Sequence, residues 1–359
     1  MEDKRHQITS KQLKTFALSS QIGLGIMTLP SVLAKKVGHD GWIAVILTGV
    51  LVLLSVLFEL AFLKRYKNNS ILEINIKLYG KKLGIVLNFI FICYIFAFAA
   101  LNIRLFTGIV SVLILRKTPK VVISFLIALP TIYLTAKGLK VICRFTTLLY
   151  LSHIVIIFTF AIIVKDIRIT YIMPIAKSDF NLIIKSLPYT IYSFLGFELA
   201  SVFYPNVVNK EHITMHIIQG VVYTTLFYLI IVVVSVLIFG EMKLKMLVFP
   251  IYNIEEAVKV PVIERFDMVF ILLWFPMMAS SVRNYFFTSY YCVSKIFRIK
   301  KEKLLIVVIF IIMFIVGTKL RNVQMVCSCI NYMAIWGIVN IVFIIISFFI
   351  SCLKGREQC

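Results

Sequence analysis

Long polar stretches are missing from this sequence. Its apolar runs are joined by short connections, so no sizeable soluble domain can be cut out of the chain. Acid is scarce as well: 16 Asp and Glu stand against 38 Lys and Arg, a formal net charge of +22. Signatures of catalysis are lacking: there is no nucleophile elbow, no zinc-protease motif and no Walker-type phosphate loop. No enzyme activity and no catalytic residue is therefore assigned. The seven cysteines fall mostly in or beside apolar runs, and no His/Cys set has metal-ligand spacing. Neither a disulfide, a metal nor a cofactor is expected. The first apolar run follows Lys4, Arg5, Lys11 and Lys14 without a small-residue cleavage site, so it is not read as a removable signal peptide.

What the chain has in abundance is apolar residues. They make up 61% of it, and mean hydropathy is +0.98. Soluble domains are roughly 45–50% apolar, so this is a polytopic membrane protein. About ten spans can be placed, near 11–34, 41–63, 83–114, 119–136, 141–164, 182–205, 213–239, 262–294, 303–318 and 326–352. The segment from Glu241 to Pro261 is too polar to span and reads as a surface loop with a short helix. The basic residues lie in the loops, where they set orientation and meet anionic lipid headgroups, and no nucleic-acid partner is implied. An even span number puts both termini on one side. That side carries 21 basic residues and the other 15, which makes the termini cytoplasmic. Arg104 and Arg283 lie inside spans.

Within the first span stands Gln21-Ile22-Gly23-Leu24-Gly25-Ile26-Met27-Thr28-Leu29-Pro30. Gly costs about 1 kcal/mol and Pro about 3 kcal/mol against Ala in a helix interior. The helix is expected to unwind here. Unwound backbone at membrane depth is tolerated where it is buried in protein or lines a cavity. Two readings fit: a ligand site on a broken helix, or glycines that let helices pack closely. Five spans later the pattern returns as Ser193-Phe194-Leu195-Gly196-Phe197-Glu198, followed by Pro205. An odd number of spans per half gives the halves opposite topology, and paired interrupted helices favour the binding-site reading. The expected organisation is a tail (1–10), one membrane domain (11–352) with repeats over about 11–164 and 182–352, and a second tail (353–359).

Gly23-Leu24-Gly25-Ile26-Met27-Thr28-Leu29-Pro30, then Asp40-Gly41-Trp42-Ile43, resembles the start of bacterial spore germination permeases. Ser193 to Glu198, Pro250, Glu264-Arg265-Phe266-Asp267 and Trp274 extend the match, from about residue 8 to the C-terminus. These are the B subunits of GerA-type germinant receptors, in the amino acid–polyamine–organocation superfamily. The resemblance implies an all-α integral membrane fold of about ten helices, the LeuT-like five-plus-five inverted repeat with broken helices 1 and 6. It implies an A subunit and a lipoprotein C subunit as partners, a small-molecule germinant, commonly an amino acid, and a place in the inner membrane of the spore.

An amino acid presents a carboxylate and an ammonium. Half-helix N-termini suit the first and unwound carbonyls the second. Small residues at the breaks, Gly23 and Gly25 with Leu24 and Thr28 beside them, and Gly196 among Phe194, Leu195 and Phe197, let backbone act as ligand. Glu198 is open to three roles: meeting a ligand ammonium, taking up a proton, or pairing with Arg104 or Arg283, the last as a coupling or a purely structural pair. In LeuT-like folds span three lines the pocket, which nominates Tyr94, Phe98 and Asn102, spaced by four residues. Asn102 stands where relatives can carry an acid, which argues against cation coupling at that position. Ser281 and Tyr285 are candidates in span eight. Of the remaining polar residues, His153 is expected to pack with one hydrogen bond and Glu59 to pair with Lys64 or reach water. Asn331 and Asn340 are expected to join helices. The leading expectation is a germinant-sensing subunit. An amino-acid transporter of the same fold and a structural subunit without a ligand are the alternatives.

Overall fold

The computed structural model describes residues 4–23, 25–162, 167–258, 266–320 and 323–354. Leu24, Pro261, Glu264, Arg265 and the tail after 354, all used above, lie outside the described residues. Among the described residues the regular structure is helical, with one isolated parallel bridge between Ile8 and Val207.

The first span is two half-helices, α1 (Ser10–Gln21) and α2 (Gly25–Val37). Thr9 starts α1 through a capping box: Gln12 N donates to its hydroxyl, and its own N–H donates to Gln12 Oε1. Then come α3 (Gly41–Arg65), the short α4 (Ile71–Tyr79), α5 (Lys81–Leu113), α6 (Lys120–Lys137) and α7 (Leu139–Ile162). The sixth span is again split, into α8 (Phe180–Phe194) and the single turn α9 (Ala200–Phe203). The chain ends with α10 (Ile213–Met246), α11 (Pro250–Ala257), α12 (Phe266–Phe297), α13 (Glu302–Lys319) and α14 (Val323–Leu353).

Among the described residues, six stretches are long and apolar enough to cross a membrane. The shortfall from about ten has local causes. The halves of spans one and six are short, α12 carries the polar run Ser280, Ser281, Arg283 and Asn284, and α13 has 18 residues with Glu302, Lys303 and Lys319 among them.

The broken helices occupy the centre. α1 packs on α7, α10 and α12, α8 on α2, α3 and α14, and α5 on α12 and α13. Apolar residues on the outer faces of α5, α6, α13 and α14 are left exposed, as lipid-facing positions must be, for example Phe89, Phe125, Ile311 and Val339. The tail before α1 crosses the bundle end. Ile8 N donates to Asn206 O and Val208 N to Ile8 O, both at 3.0 Å. Lys140 N donates to Arg5 O at 3.0 Å, and Arg5 pairs with Glu302 at 3.5 Å. α4 is held to α5 by an amide chain: Asn75 Nδ2 donates to Asn88 Oδ1 at 2.9 Å and Asn88 Nδ2 to Leu72 O at 2.8 Å.

Three local expectations are corrected. Glu59 neither pairs with Lys64 nor reaches water; it is 2% exposed. Glu255, in the polar loop, is fully buried and accepts from the Thr159 hydroxyl at 2.7 Å, because α11 folds back onto the bundle. Asn331 is exposed, and Asn340 Nδ2 has no hydrogen-bond partner, so neither amide joins helices among the described residues. His153 behaves as expected: it is buried, with one hydrogen bond, from Nδ1 to Tyr150 O at 3.3 Å.

Asn88→Ala leaves the Asn75 amide and the Leu72 carbonyl without their buried partner. The expected cost is about 1–3 kcal/mol, read as a lower thermal unfolding midpoint in detergent.

Candidate ligand site at the paired helix breaks

Backbone polar groups freed by unwinding need partners in a bilayer. At the first break Ile22 is extended, with ψ 98°. At the second, Leu195 is extended and Gly196 has φ +126°, a conformation that L side chains rarely adopt. A Cβ on Gly196 would lie 2.8 Å from the Ser20 carbonyl carbon and 3.0 Å from Gln21 N, so the two breaks touch through backbone. Gln21 ties them together. Its Nε2 donates to Phe194 O at 2.8 Å, and its Oε1 accepts from the Thr224 hydroxyl at 2.9 Å. Its carbonyl accepts from the Tyr228 hydroxyl at 3.0 Å. A Cβ on Gly25 would meet Ser193 Oγ and Tyr228 Oη, each at 2.7 Å.

Glu198 lies just past the second break and is 1% exposed. Its Oε1 accepts from the hydroxyls of Tyr94 at 2.9 Å and Tyr285 at 3.1 Å, and its Oε2 accepts from Gly196 N at 2.7 Å. Three donors on one carboxylate, from α5, α12 and the break itself, join spans three, six and eight. Phe98 covers this cluster. Its ring stacks on Tyr285 at 4.2 Å and lies 5.3 Å from Tyr192. A second polar chain runs beside it. The Tyr192 hydroxyl donates to Asn102 Oδ1 at 3.3 Å, Asn102 Nδ2 to Ser281 Oγ at 3.4 Å, and the Ser281 hydroxyl to Ser20 O at 2.9 Å.

The expected residues thus fall into two groups. Tyr94, Phe98, Asn102, Gly196, Glu198, Ser281 and Tyr285 meet in one buried cluster, with Gly23 packed against Ser281. Gly25 and Thr28 line a small cavity of about 60 Å³ with Tyr189, Tyr192 and Ser193. Phe194 turns instead toward Tyr228, at 5.4 Å, and Leu195 toward Gly337 of α14. Phe197 is buried and Leu24 is outside the described residues.

The two arginines are not partners of Glu198. Arg104 Nε donates to Leu320 O, at the end of α13, at 2.5 Å. Arg283 points the other way along α12, with its guanidinium 5.0 Å from the Phe145 ring of α7. Glu198 takes neutral hydroxyl and amide donors in their place. Sequence reasoning also missed Gln21, Tyr192, Thr224, Tyr228 and Asn284. Asn284 Nδ2 lies within 3.1 Å of Phe16 O, Ser19 Oγ and Ser20 Oγ. An available signal was a glutamine in an apolar run at the residue before a break, where freed carbonyls need a donor.

Residues 7–322 match the family described as spore germination protein. The chain belongs to this family. Among curated relatives, spore germination protein B2 of Bacillus subtilis (strain 168) is 25% identical over 309 residues, covering 84% of this chain and 83% of that one. Spore germination protein GerQB of Bacillus cereus is 24% identical over 75% of this chain and 74% of its own. In three dimensions the germination protein is similar to a Na+-coupled sialic acid symporter in a substrate-bound outward-open state. The TM-score is 0.68 at 14% identity, over 92% of this chain and 77% of that one. The germination protein is therefore an all-α membrane protein with the LeuT-like transporter fold.

Tyr94→Phe and Tyr285→Phe each remove one donor from a buried carboxylate. Each is expected to cost about 1.5–3 kcal/mol of stability, seen as a lower unfolding midpoint, whereas a change at exposed Tyr133 leaves the midpoint in place. Gln21→Ala strips both breaks of their shared tie and is expected to cost more than either tyrosine variant in the same assay.

Proposed function

We propose that this germination protein is the germinant-sensing membrane subunit of a spore germination receptor. A small nutrient with an ammonium group, an amino acid above all, binds between the unwound segments of spans one and six, walled by α5 and α12. The observation that carries this reading is the Glu198 carboxylate at the second break, buried, bonded by Tyr94, Tyr285 and Gly196 and without an Arg or Lys partner among the described residues. A buried acid of this kind suits a ligand cation, and the N-terminus of α2 at Gly25 suits a ligand carboxylate. Gly23, Gly25, Thr28, Asn102, Gly196, Glu198 and Ser281 would contact the nutrient. Phe194, Leu195 and Phe197 would shape the breaks from outside the contact layer.

The cavity beside the break is about 60 Å³, far below the roughly 300–1,000 Å³ of small-molecule pockets. Binding therefore requires Phe98 and Tyr192 to swing aside. That movement gives the ligand a differential affinity for two arrangements of the bundle, which is what a sensor needs to shift an equilibrium. An A subunit and a lipoprotein C subunit would read the shift, in the inner membrane of the spore with both termini of this chain cytoplasmic. The reading assigns no covalent chemistry to the chain.

A second reading, an active amino-acid transporter, draws on the likeness to a symporter in fold. Counterflow in proteoliposomes separates the two, since a sensor binds without accumulating label.

The test is equilibrium binding of labelled amino acids, nucleosides and sugars to the purified protein or to its co-expressed complex. One compound is expected to bind saturably. Glu198→Gln, which keeps the volume but removes the charge, is expected to weaken an amine-bearing ligand at least tenfold, about 1.4 kcal/mol. Failure of the intact complex to bind any compound sinks the sensor reading, and equal affinity in the variant removes Glu198 from the site.

A further inference from the structure

Glu59 of α3 is a second acid in the same dry interior. It is 2% exposed, and its Oε1 has no hydrogen-bond partner. The Ser201 hydroxyl on α9 and the Glu198 carboxylate are its polar neighbours. Ser201 also donates to the backbone carbonyl of Glu198 at 2.7 Å, so one hydroxyl touches the surroundings of both acids.

Among the described residues, the groups facing the two carboxylates are uncharged. They are Tyr94 on α5, Tyr285 on α12, Ser201 on α9 and the Gly196 amide at the break. Ion pairs among the described residues, such as Arg5 with Glu302, Lys245 with Glu241 and Lys295 with Glu73, involve neither acid. Two buried carboxylates that are both ionised repel each other, and Glu59 Oε1 has no donor to offset its lost hydration. Such a pair persists when one positive charge is shared with it.

Ser201 lines a cavity of about 170 Å³ between α4, α5 and α14. Asn75 lines the same cavity and is 2% exposed, yet its Oδ1 has no donor. Its Nδ2 is already committed to Asn88, so the free oxygen is an acceptor waiting for a water or a cation. The volume is enough for several waters.

We propose that Glu59 and Glu198 form a monovalent-cation site that holds one positive charge, a proton or an alkali-metal ion, reached past Ser201 and Asn75. The site stands whether or not a nutrient binds at the breaks. It gives the bundle a charge that a ligand ammonium at Glu198 would displace, so nutrient binding and cation release are linked.

Two measurements on the purified protein in nanodiscs, without any nutrient, test it. If the charge is a proton, infrared spectra show a carboxylic-acid carbonyl band that shifts in D2O and is lost in Glu59→Gln or Glu198→Gln. If it is an alkali ion, replacing choline by Na+ or K+ at fixed ionic strength raises the wild-type unfolding midpoint, and Glu59→Gln abolishes the rise. Should Glu59→Gln fail to fold, Ser201→Ala keeps both acids. It is expected to slow deuterium exchange of the band, or to weaken the alkali effect, several-fold. A wild type with neither signal, a signal that survives both glutamine variants, or no change in Ser201→Ala where that variant has to decide, overturns the proposal. Nutrient binding is read separately, so a failed germinant screen leaves these outcomes intact.

Discussion

Two lengths of unwound backbone in the middle of a membrane bundle must find every hydrogen-bond partner inside the protein, and the architecture is built on how they do so. Gln21 is the tie. It ends α1, donates to the last carbonyl of α8, and accepts from α10 through both its side chain and its backbone. Because Gly196 presses against Ser20 and Gln21 without a side chain between them, the two breaks form one junction. α5, α10 and α12 then close around that junction and turn Tyr94, Asn102, Thr224, Tyr228, Ser281, Asn284 and Tyr285 toward it, while α3 and α14 pack on α8.

The junction has an asymmetric chemistry. On one side the Ser281, Asn102 and Tyr192 chain and the Asn284 amide satisfy the carbonyls of α1 with neutral groups. On the other, Glu198 collects two phenol hydroxyls and an amide. Aromatic rings seal both: Phe98, Tyr192 and Tyr285 above the acid, and Phe16, Phe203, Phe287 and Tyr291 in a stack toward the N-terminal tail. A membrane protein of the germination family with a transporter-like fold thus keeps the centre of that fold closed and polar, with the strap of residues 5–8 drawn across one end. Packed rings of this kind hold one of a few discrete arrangements and do not deform continuously.

Much of this was legible in the residues. Glycines inside an apolar run located both breaks, since a helix with that many unfavourable positions survives at membrane depth only if something uses the break. The four-residue spacing of Tyr94, Phe98 and Asn102, and of Ser281 and Tyr285, put each set on one helix face, and those faces do meet. The partners of the charges were not legible. Arg104 and Arg283 looked available to Glu198 because all three lie within spans. Each arginine, however, turns to a different neighbour, and a rotation of about 100° per residue along a helix decides that. Glu59 reads as a charge near a helix end. The α9 turn packs against α3 beside it, through contacts far apart in sequence.

The sequence by itself determined a polytopic helical membrane protein, two interrupted spans five apart, and the family. These rest on composition, on helix propensity and on local motifs, all of which act along the chain. The tertiary structure alone decided which polar group satisfies which. Inside a bilayer each donor must take the acceptor that packing brings within about 3 Å, and helix rotation and tilt, which no local pattern encodes, set those distances.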